Sequence, residues 1–150
     1  MRLERLERAA LWVAVVCAAL GFLTSGGCLH LPSAPRAALG LLHPLLFLMG
    51  AGAGWAVVVR GRDIDRRRWQ IVREDRLTSG ERDWAHKEAE RQRRWAGTSF
   101  LAAPVMLGYW LAYQVEGGGR LLAAQLLSVT ALAGAVIGLV AAHLHGRRKR

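Results

Sequence analysis

The charged residues of this chain fall in short blocks separated by long uncharged stretches, and this pattern constrains the fold more than any other feature. Crossing about 30 Å of hydrocarbon at 1.5 Å per residue takes roughly 20 apolar residues in a helix. Four of the uncharged stretches meet that length. They predict transmembrane helices over residues 9–26, 38–59, 95–115 and 121–143.

These apolar stretches are continuous and lack the alternation of inward and outward residues that a barrel strand requires. Hydrophobic residues make up 53% of the 150-residue chain, which fits a soluble domain poorly. We therefore predict a single all-α integral membrane domain, built as a bundle of four transmembrane helices. A basic tail, 144–150, would follow the last span.

Lysine and arginine are distributed unevenly among the segments between the predicted spans. Of the 21 basic residues, 19 lie before residue 9, between 60 and 94, or after residue 146. The positive-inside rule places these three segments in the cytoplasm, so both termini are predicted to be cytoplasmic. The same rule accounts for the formal net charge of +10 without a nucleic-acid partner.

A cleaved secretory signal is an alternative for the first span, because a basic leader, 2–8, precedes an apolar run that ends at Cys28. A lipoprotein signal carries an aliphatic residue three positions before the cysteine, whereas Ser25 stands there. Glu4 and Glu7 are also unusual in a basic leader. We expect the first helix to be retained. Either outcome leaves the orientation of the other spans unchanged.

The segment between the second and third spans, 60–94, holds twelve basic and eight acidic residues. This composition favours exposed helix, and we predict a cytoplasmic helical hairpin. Its first helix would cover 63–77. The second would begin at Thr78, which has capping-box spacing to Glu81, and would run on into the third span.

The hairpin has two interpretations. The simpler one is a solvated hairpin whose Trp69 and Trp84 lie on the lipid headgroups. The other is a docking surface for a membrane-protein partner or for anionic lipid, because clustered arginines beside a membrane attract phosphate groups. The residues that would form this surface are Arg66, Arg67, Arg68, Arg91, Arg93 and Arg94.

Glycines recur at helical spacing within three of the predicted spans. Gly50 and Gly54 form one GxxxG pair, Gly134 and Gly138 form another, and Gly108 continues the pattern in the third span. Small residues one turn apart let helices approach closely in a membrane, where lipid offers little hydrophobic drive. We predict that these glycines mark helix contacts within the bundle rather than a dimer interface.

The sequence lacks the common signatures of catalysis and of metal binding. It has no CxxC pair, phosphate-binding loop, zinc-protease motif or nucleophile elbow. No predicted span holds an acidic or basic residue at mid-depth, where an ion pump usually carries one. Cys17 and Cys28 would lie at different depths, and we expect both to be free thiols. We predict no enzymatic activity and no metal site.

His43 is the candidate cofactor residue. It lies near the outer end of the second span, where an imidazole is costly unless it is hydrogen-bonded or ligating. One interpretation is a histidine that hydrogen bonds to a neighbouring helix, with no cofactor; the other is an axial ligand of haem b. His143 would lie roughly 22 Å away in depth, so one haem cannot bridge these two histidines. Nothing in the sequence makes His30 or His86 a stronger candidate for cofactor binding.

One long stretch carries a family resemblance. It runs from LLHPLLF through Gly54 and Trp55 to VVVRGR, and continues after the charged segment with WAGTSFLAAPVMLGYW and a GGGRL turn. Together these motifs, within 38–135, resemble a small family of multi-helix membrane proteins that carries a domain of unknown function and occurs mainly in photosynthetic organisms. The resemblance implies that the His-Pro pair at His43 opens a helix, as in transmembrane b-type cytochromes. The resemblance also implies a further histidine at the start of a later helix, and Gln125 lies near that position.

These observations favour a membrane protein without catalytic activity, serving as a structural or assembly subunit that docks through its charged segment. Two alternatives stay open. One is a haem-binding electron-transfer protein that uses His43. The other is a small pore or holin-like protein, suggested by the chain's size and its basic tail.

Overall fold

A computed structural model describes residues 2–28, 37–73, 78–115 and 120–147. These residues form four helices: α1 (Arg2–Ser25), α2 (Ala37–Val72), α3 (Ser79–Ala112) and α4 (Arg120–Arg147). The all-helical architecture predicted from the sequence is therefore confirmed. Three of the helices, α1, α2 and α4, are long and apolar enough to cross a membrane.

Two helices are much longer than a membrane span. α2 has 36 residues and α3 has 34, which correspond to about 54 Å and 51 Å of helix axis. Because α2 does not break after residue 59, the first helix of the predicted hairpin is a continuation of α2 rather than a separate element. The predicted end of that helix, 74–77, lies outside the described residues. α4 likewise continues to Arg147, so the tail begins as helix.

A capping box begins α3, as predicted. The Thr78 side chain accepts from the backbone N–H of Glu81, and the Glu81 carboxylate accepts from the backbone N–H of Thr78 at 2.8 Å. From there α3 runs to Ala112. It passes through Pro104, although this residue has no backbone N–H to donate to the preceding turn. The predicted helix that leads from the hairpin into the third apolar stretch is confirmed.

α3 lies at the centre of the bundle. It packs against α1, α2 and α4, while α2 also packs closely along α4. The side chains that α3 buries in its apolar half are mostly small: Ala96, Ser99, Phe100, Ala103, Pro104, Gly108 and Ala112. Leu46 of α2 and Leu127 of α4 are fully buried in the same core. Small side chains permit this close packing.

The outer three helices expose large apolar side chains. Trp12 and Phe22 on α1, Leu41 on α2, and Val129 and Val136 on α4 are all more than half exposed. Apolar surface of this extent is unfavourable in water. It suits helices whose outward faces contact lipid.

Most of the chain's charged residues lie at one end of each of the four helices, and these four ends lie together. We call this region the charged end; it comprises residues 2–8, 60–73, 78–94 and 143–147. Hydrogen bonds from α2 reach each of the other helices there. Arg60 bonds to Glu7, Arg62 bonds to the carbonyl oxygen of Ala142, and Asp65 pairs with Arg93.

Candidate functional site

The glycines predicted to pack helices lie at the contact between α2 and α4. A Cβ atom built on Gly50 would overlap the backbone carbonyl of Ala131, and one on Gly54 would overlap that of Ala135. From the first contact to the second, the position moves four residues toward the C-terminus on both helices. α2 and α4 are therefore parallel, and their backbones approach as closely as glycine allows.

The contact is reciprocal. A Cβ on Gly134 would overlap the carbonyl of Phe47, and one on Gly138 would overlap that of Ala51. A Cβ built on Gly108 of α3 would lie 3.3 Å from the backbone of Leu127 on α4, which is closer than an ordinary van der Waals contact. In this structure all five predicted glycines thus pack against other helices of the same chain.

His43 lies on α2 near the end of the bundle opposite the charged end. Its Nδ1 is 3.0 Å from Oγ1 of Thr130 on α4, and the Thr130 hydroxyl donates to the carbonyl oxygen of Leu126 at 2.8 Å. Because that hydroxyl has a single proton, Thr130 accepts and His43 donates from Nδ1. This is the bond to a neighbouring helix that the cofactor-free interpretation expects.

Among the described residues, the other histidines do not gather around His43. His86 is exposed on α3, and the ring of His145 lies 5.6 Å from that of Trp55. His143 is exposed at the charged end, and His30 lies outside the described residues. Within the part of the chain that the structure describes, no group of three or more histidine, cysteine, aspartate or glutamate residues is placed to hold a metal ion.

A buried arginine that sequence reasoning missed lies at the charged end. Arg60 is only 5% exposed, and its guanidinium lies 2.9 Å from Glu7 of α1 and 2.9 Å from Asp63 of α2. Glu4 lies 3.6 Å from Arg60 and 2.7 Å from Arg67. These five side chains, which we call the Arg60 cluster, connect the start of α1 to α2.

The sequence carries only weak signals of the Arg60 cluster. Glu4 and Glu7 are three positions apart, so they share one face of a helix. Arg60 is the first charged residue after a long apolar stretch. Nothing in these local patterns identifies their partners, because the Arg60–Glu7 bond joins residues 53 positions apart.

Four of the six arginines in the predicted docking surface contact a carboxylate or an aromatic ring and do not line the large cavity described below. Arg67 belongs to the Arg60 cluster, and Arg68 lies over the ring of Trp69 at 5.1 Å. Arg91 and Arg94 pair with glutamates one turn earlier on α3. Such exposed pairs add little stability, but they reduce the charge that these arginines present to a ligand.

The remaining two, Arg66 and Arg93, line a cavity of about 1340 Å³ between α2, α3 and α4. Two further arginines that were not predicted, Arg62 and Arg73, also line this space, which we call the basic cavity. Other residues in its wall are Val57, Val58, Gly61, Asp65, Trp69, Gln70, Ala96, His143 and Gly146. Two of the six predicted arginines therefore line the basic cavity, which draws residues from three helices.

A smaller apolar groove of about 350 Å³ adjoins the basic cavity. It is lined by Leu139, Val140 and Leu144 of α4, together with Val58 and His143, which line both spaces. The two spaces meet where α2 changes from apolar to charged sequence. A molecule with one anionic part and one apolar part would match this arrangement chemically.

Comparison with protein-family models, with curated proteins and with solved structures finds no match to this chain. The family resemblance drawn from the His-Pro motif stays a hypothesis.

Proposed function

We propose that this chain is a four-span membrane protein without catalytic activity, which serves as a structural or assembly subunit and docks a protein partner through its charged end. The observation that carries the proposal is the position of two tryptophans. Trp69 is 51% exposed and Trp84 is 64% exposed. Along their helices both lie about 15 Å beyond the apolar stretches that end at residue 59 and begin at residue 95.

This distance separates the docking interpretation from the headgroup interpretation. A headgroup layer is about 5–7 Å thick on each side of the hydrocarbon, so a tryptophan about 15 Å along a projecting helix would lie beyond it. Exposed tryptophan is uncommon on free surfaces and is enriched where proteins bind each other. Trp69 and Trp84 therefore support a protein partner.

Four spans are supported by the parallel course of α2 and α4. If both helices cross the bilayer in the same direction, the chain between them must return across it, and α3 is the helix between them. α3 packs against the other three helices, so it needs less apolar surface than a helix that faces lipid. This accounts for its absence from the helices that qualify as spans by length and composition.

Retention of the first helix is supported by the Arg60 cluster. Removal of α1 would take away Glu4 and Glu7, and Arg60 would keep only Asp63 as a partner. It would also uncover the face of α3 that packs against α1. The positive-inside rule then places the charged end, with both termini, in the cytoplasm.

Crosslinking in native membranes tests the docking function. The variants Trp69→Ala and Trp84→Ala should each lower recovery of the crosslinked partner at least about tenfold, because tryptophans at interfaces are frequent hot spots. Trp12→Ala is the matched control, since Trp12 is 68% exposed but lies on α1 away from the charged end. Recovery of no protein above background, or equal recovery from all three variants, would refute the proposal.

Haem binding is a second candidate, because a neutral His43 that donates from Nδ1 to Thr130 carries a lone pair on Nε2 that can ligate iron. The absorbance spectrum of protein purified from haem-replete cells tests it. A b-type spectrum that disappears in His43→Ala would make the chain an electron carrier. A flat trace would exclude that function.

A further inference from the structure

The basic cavity carries more positive than negative charge. Among the described residues that line it, one carboxylate, that of Asp65, faces four arginines: Arg62, Arg66, Arg73 and Arg93. Arg93 pairs with Asp65, and Arg62 donates to a backbone carbonyl of α4. Arg66 and Arg73 form no ion pair within the described residues. Guanidinium groups bind phosphate oxygens in a bidentate manner, so the cavity is suited to a phosphate.

The apolar groove distinguishes a lipid from a soluble phosphate. Leu139, Val140 and Leu144 present only hydrocarbon, and a soluble phosphate compound would leave that surface uncovered. An acyl chain would cover it, with the usual gain from burying apolar area. The groove is continuous with the basic cavity through Val58 and His143.

The depth of the apolar groove, and of the end of the basic cavity next to it, also matches a phospholipid. Val58 lies in the last turn of the apolar stretch, and Arg62 lies one turn further along α2, about 6 Å away. A phospholipid changes from hydrocarbon to phosphate within a headgroup layer of about 5–7 Å. The change from apolar to charged side chains on α2 and the change from acyl chain to phosphate in the lipid therefore occur over the same distance.

We infer that the basic cavity and the apolar groove together bind one anionic phospholipid, with its phosphate near Arg62 and Arg66, at the end of the cavity next to the apolar stretch, and an acyl chain along α2 and α4. The inference rests on the proposed placement of the charged end at the cytoplasmic face, where anionic lipids are concentrated. It does not depend on a protein partner. Lipid bound there would bridge α2 and α4 at the charged end.

Native mass spectrometry of the full-length protein in a nonionic detergent measures this binding directly. Phosphatidylglycerol is compared with phosphatidylcholine of the same acyl chains. The variant Arg62→Gln/Arg66→Gln, which removes the two cavity arginines of α2 that lie nearest the apolar stretch, should bind phosphatidylglycerol roughly 30-fold more weakly, from the contribution expected of two arginines near a headgroup. Its weak binding of phosphatidylcholine should not change.

Two further variants serve as controls. Arg82→Gln/Arg91→Gln removes the same charge from exposed positions of α3 outside the cavity and should leave phosphatidylglycerol binding unchanged. Val140→Trp fills the groove from a position that is 53% exposed, and it should weaken phosphatidylglycerol binding severalfold without changing the charge. A melting curve of each variant shows that it is folded.

Three results would overturn the inference. Equal binding of the two lipids would show no selection for an anionic headgroup. Equal loss in Arg62→Gln/Arg66→Gln and in Arg82→Gln/Arg91→Gln would show a general effect of charge. Displacement of the lipid by inorganic phosphate at the same concentration would show a site for soluble anions. None of these results bears on the crosslinking of a protein partner.

Discussion

Arg60 shows how a charged side chain is accommodated inside this bundle. A buried guanidinium is unfavourable unless carboxylates offset the loss of water. Glu7 and Asp63 each accept from Arg60 at 2.9 Å, and the Arg60 cluster remains partly open to solvent through Arg67, whose side chain is 47% exposed. The interaction therefore links α1 to α2 at the charged end.

Removal of Arg60 should be strongly destabilising. Arg60→Ala leaves the Glu7 carboxylate without its guanidinium partner, and we expect a loss of about 2–3 kcal/mol in the free energy of unfolding. Thermal unfolding in detergent measures the change. Arg67→Ala is the control; because Arg67 is half exposed, its loss should be below about 1 kcal/mol.

The double variant Glu7→Met/Arg60→Met distinguishes the effect of an unpaired charge on stability from the effect of lost side-chain packing. If the single variant unfolds early because a carboxylate is left unpaired, then replacing both partners by apolar side chains of similar length should restore most of the stability. An equally large loss in the double variant would contradict this explanation of the Arg60 cluster.

At the level of single residues, the features that depend on local spacing were predicted, whereas the contacts between residues distant in the sequence were not. The GxxxG spacings identified glycines that do lie at helix contacts, and the Thr78–Glu81 spacing identified a capping box that forms. The Arg60 cluster and the walls of the basic cavity were not predicted. They depend on which helices lie side by side, and that arrangement has no local signature in the sequence.

At the level of helices, the contact between α2 and α4 gives a matched pair of substitutions. Gly54→Ala puts a methyl group into the backbone of α4, and we expect a loss of about 1–3 kcal/mol in stability. Gly52→Ala places the same methyl group where nothing lies within 4 Å; it should be neutral or stabilise by up to about 1 kcal/mol through helix propensity. Equal unfolding temperatures for the two variants would refute the close contact.

The start of α3 should respond to acid. Hydrogen bonds from the backbone and then the side chain of Thr78 hold the pKa of Glu81 below its usual value of 4.5. The carboxylate therefore stabilises the capping box at neutral pH, and this contribution is lost as pH falls through the lowered pKa. The NMR shift of the Thr78 amide proton should titrate with a midpoint below 4.5 and should not titrate in Glu81→Ala. A midpoint at or above 4.5 would contradict the capping box.

The limits of the helices were harder to predict than their existence. Hydropathy marks where α2 leaves an apolar environment, near residue 59, but the helix continues to Val72 because the charged sequence that follows is equally compatible with helix. The same holds at the start of α3. A change in side-chain polarity reports a change of solvent and does not mark the end of a helix.

At the level of the whole molecule, the parallel contact between α2 and α4 decides the arrangement. It brings the charged ends of both helices together, and α3 must run back between them. The basic cavity forms where these three helices separate. Its residues are spread from Val57 to Gly146, and of these only Arg66 and Arg93 were predicted to share a surface.

Cysteine labelling across α3 tests this arrangement most directly. Both native thiols are free, with Cys17 buried and Cys28 exposed, so a Cys28→Ser background is silent to a membrane-impermeant maleimide. Single cysteines are then introduced as His86→Cys and Arg120→Cys, at exposed positions on either side of the apolar part of α3. In intact cells Arg120→Cys should be labelled, and His86→Cys should be labelled only after permeabilisation. Labelling of both from the same side would show that α3 does not cross the membrane and would contradict the four-span account.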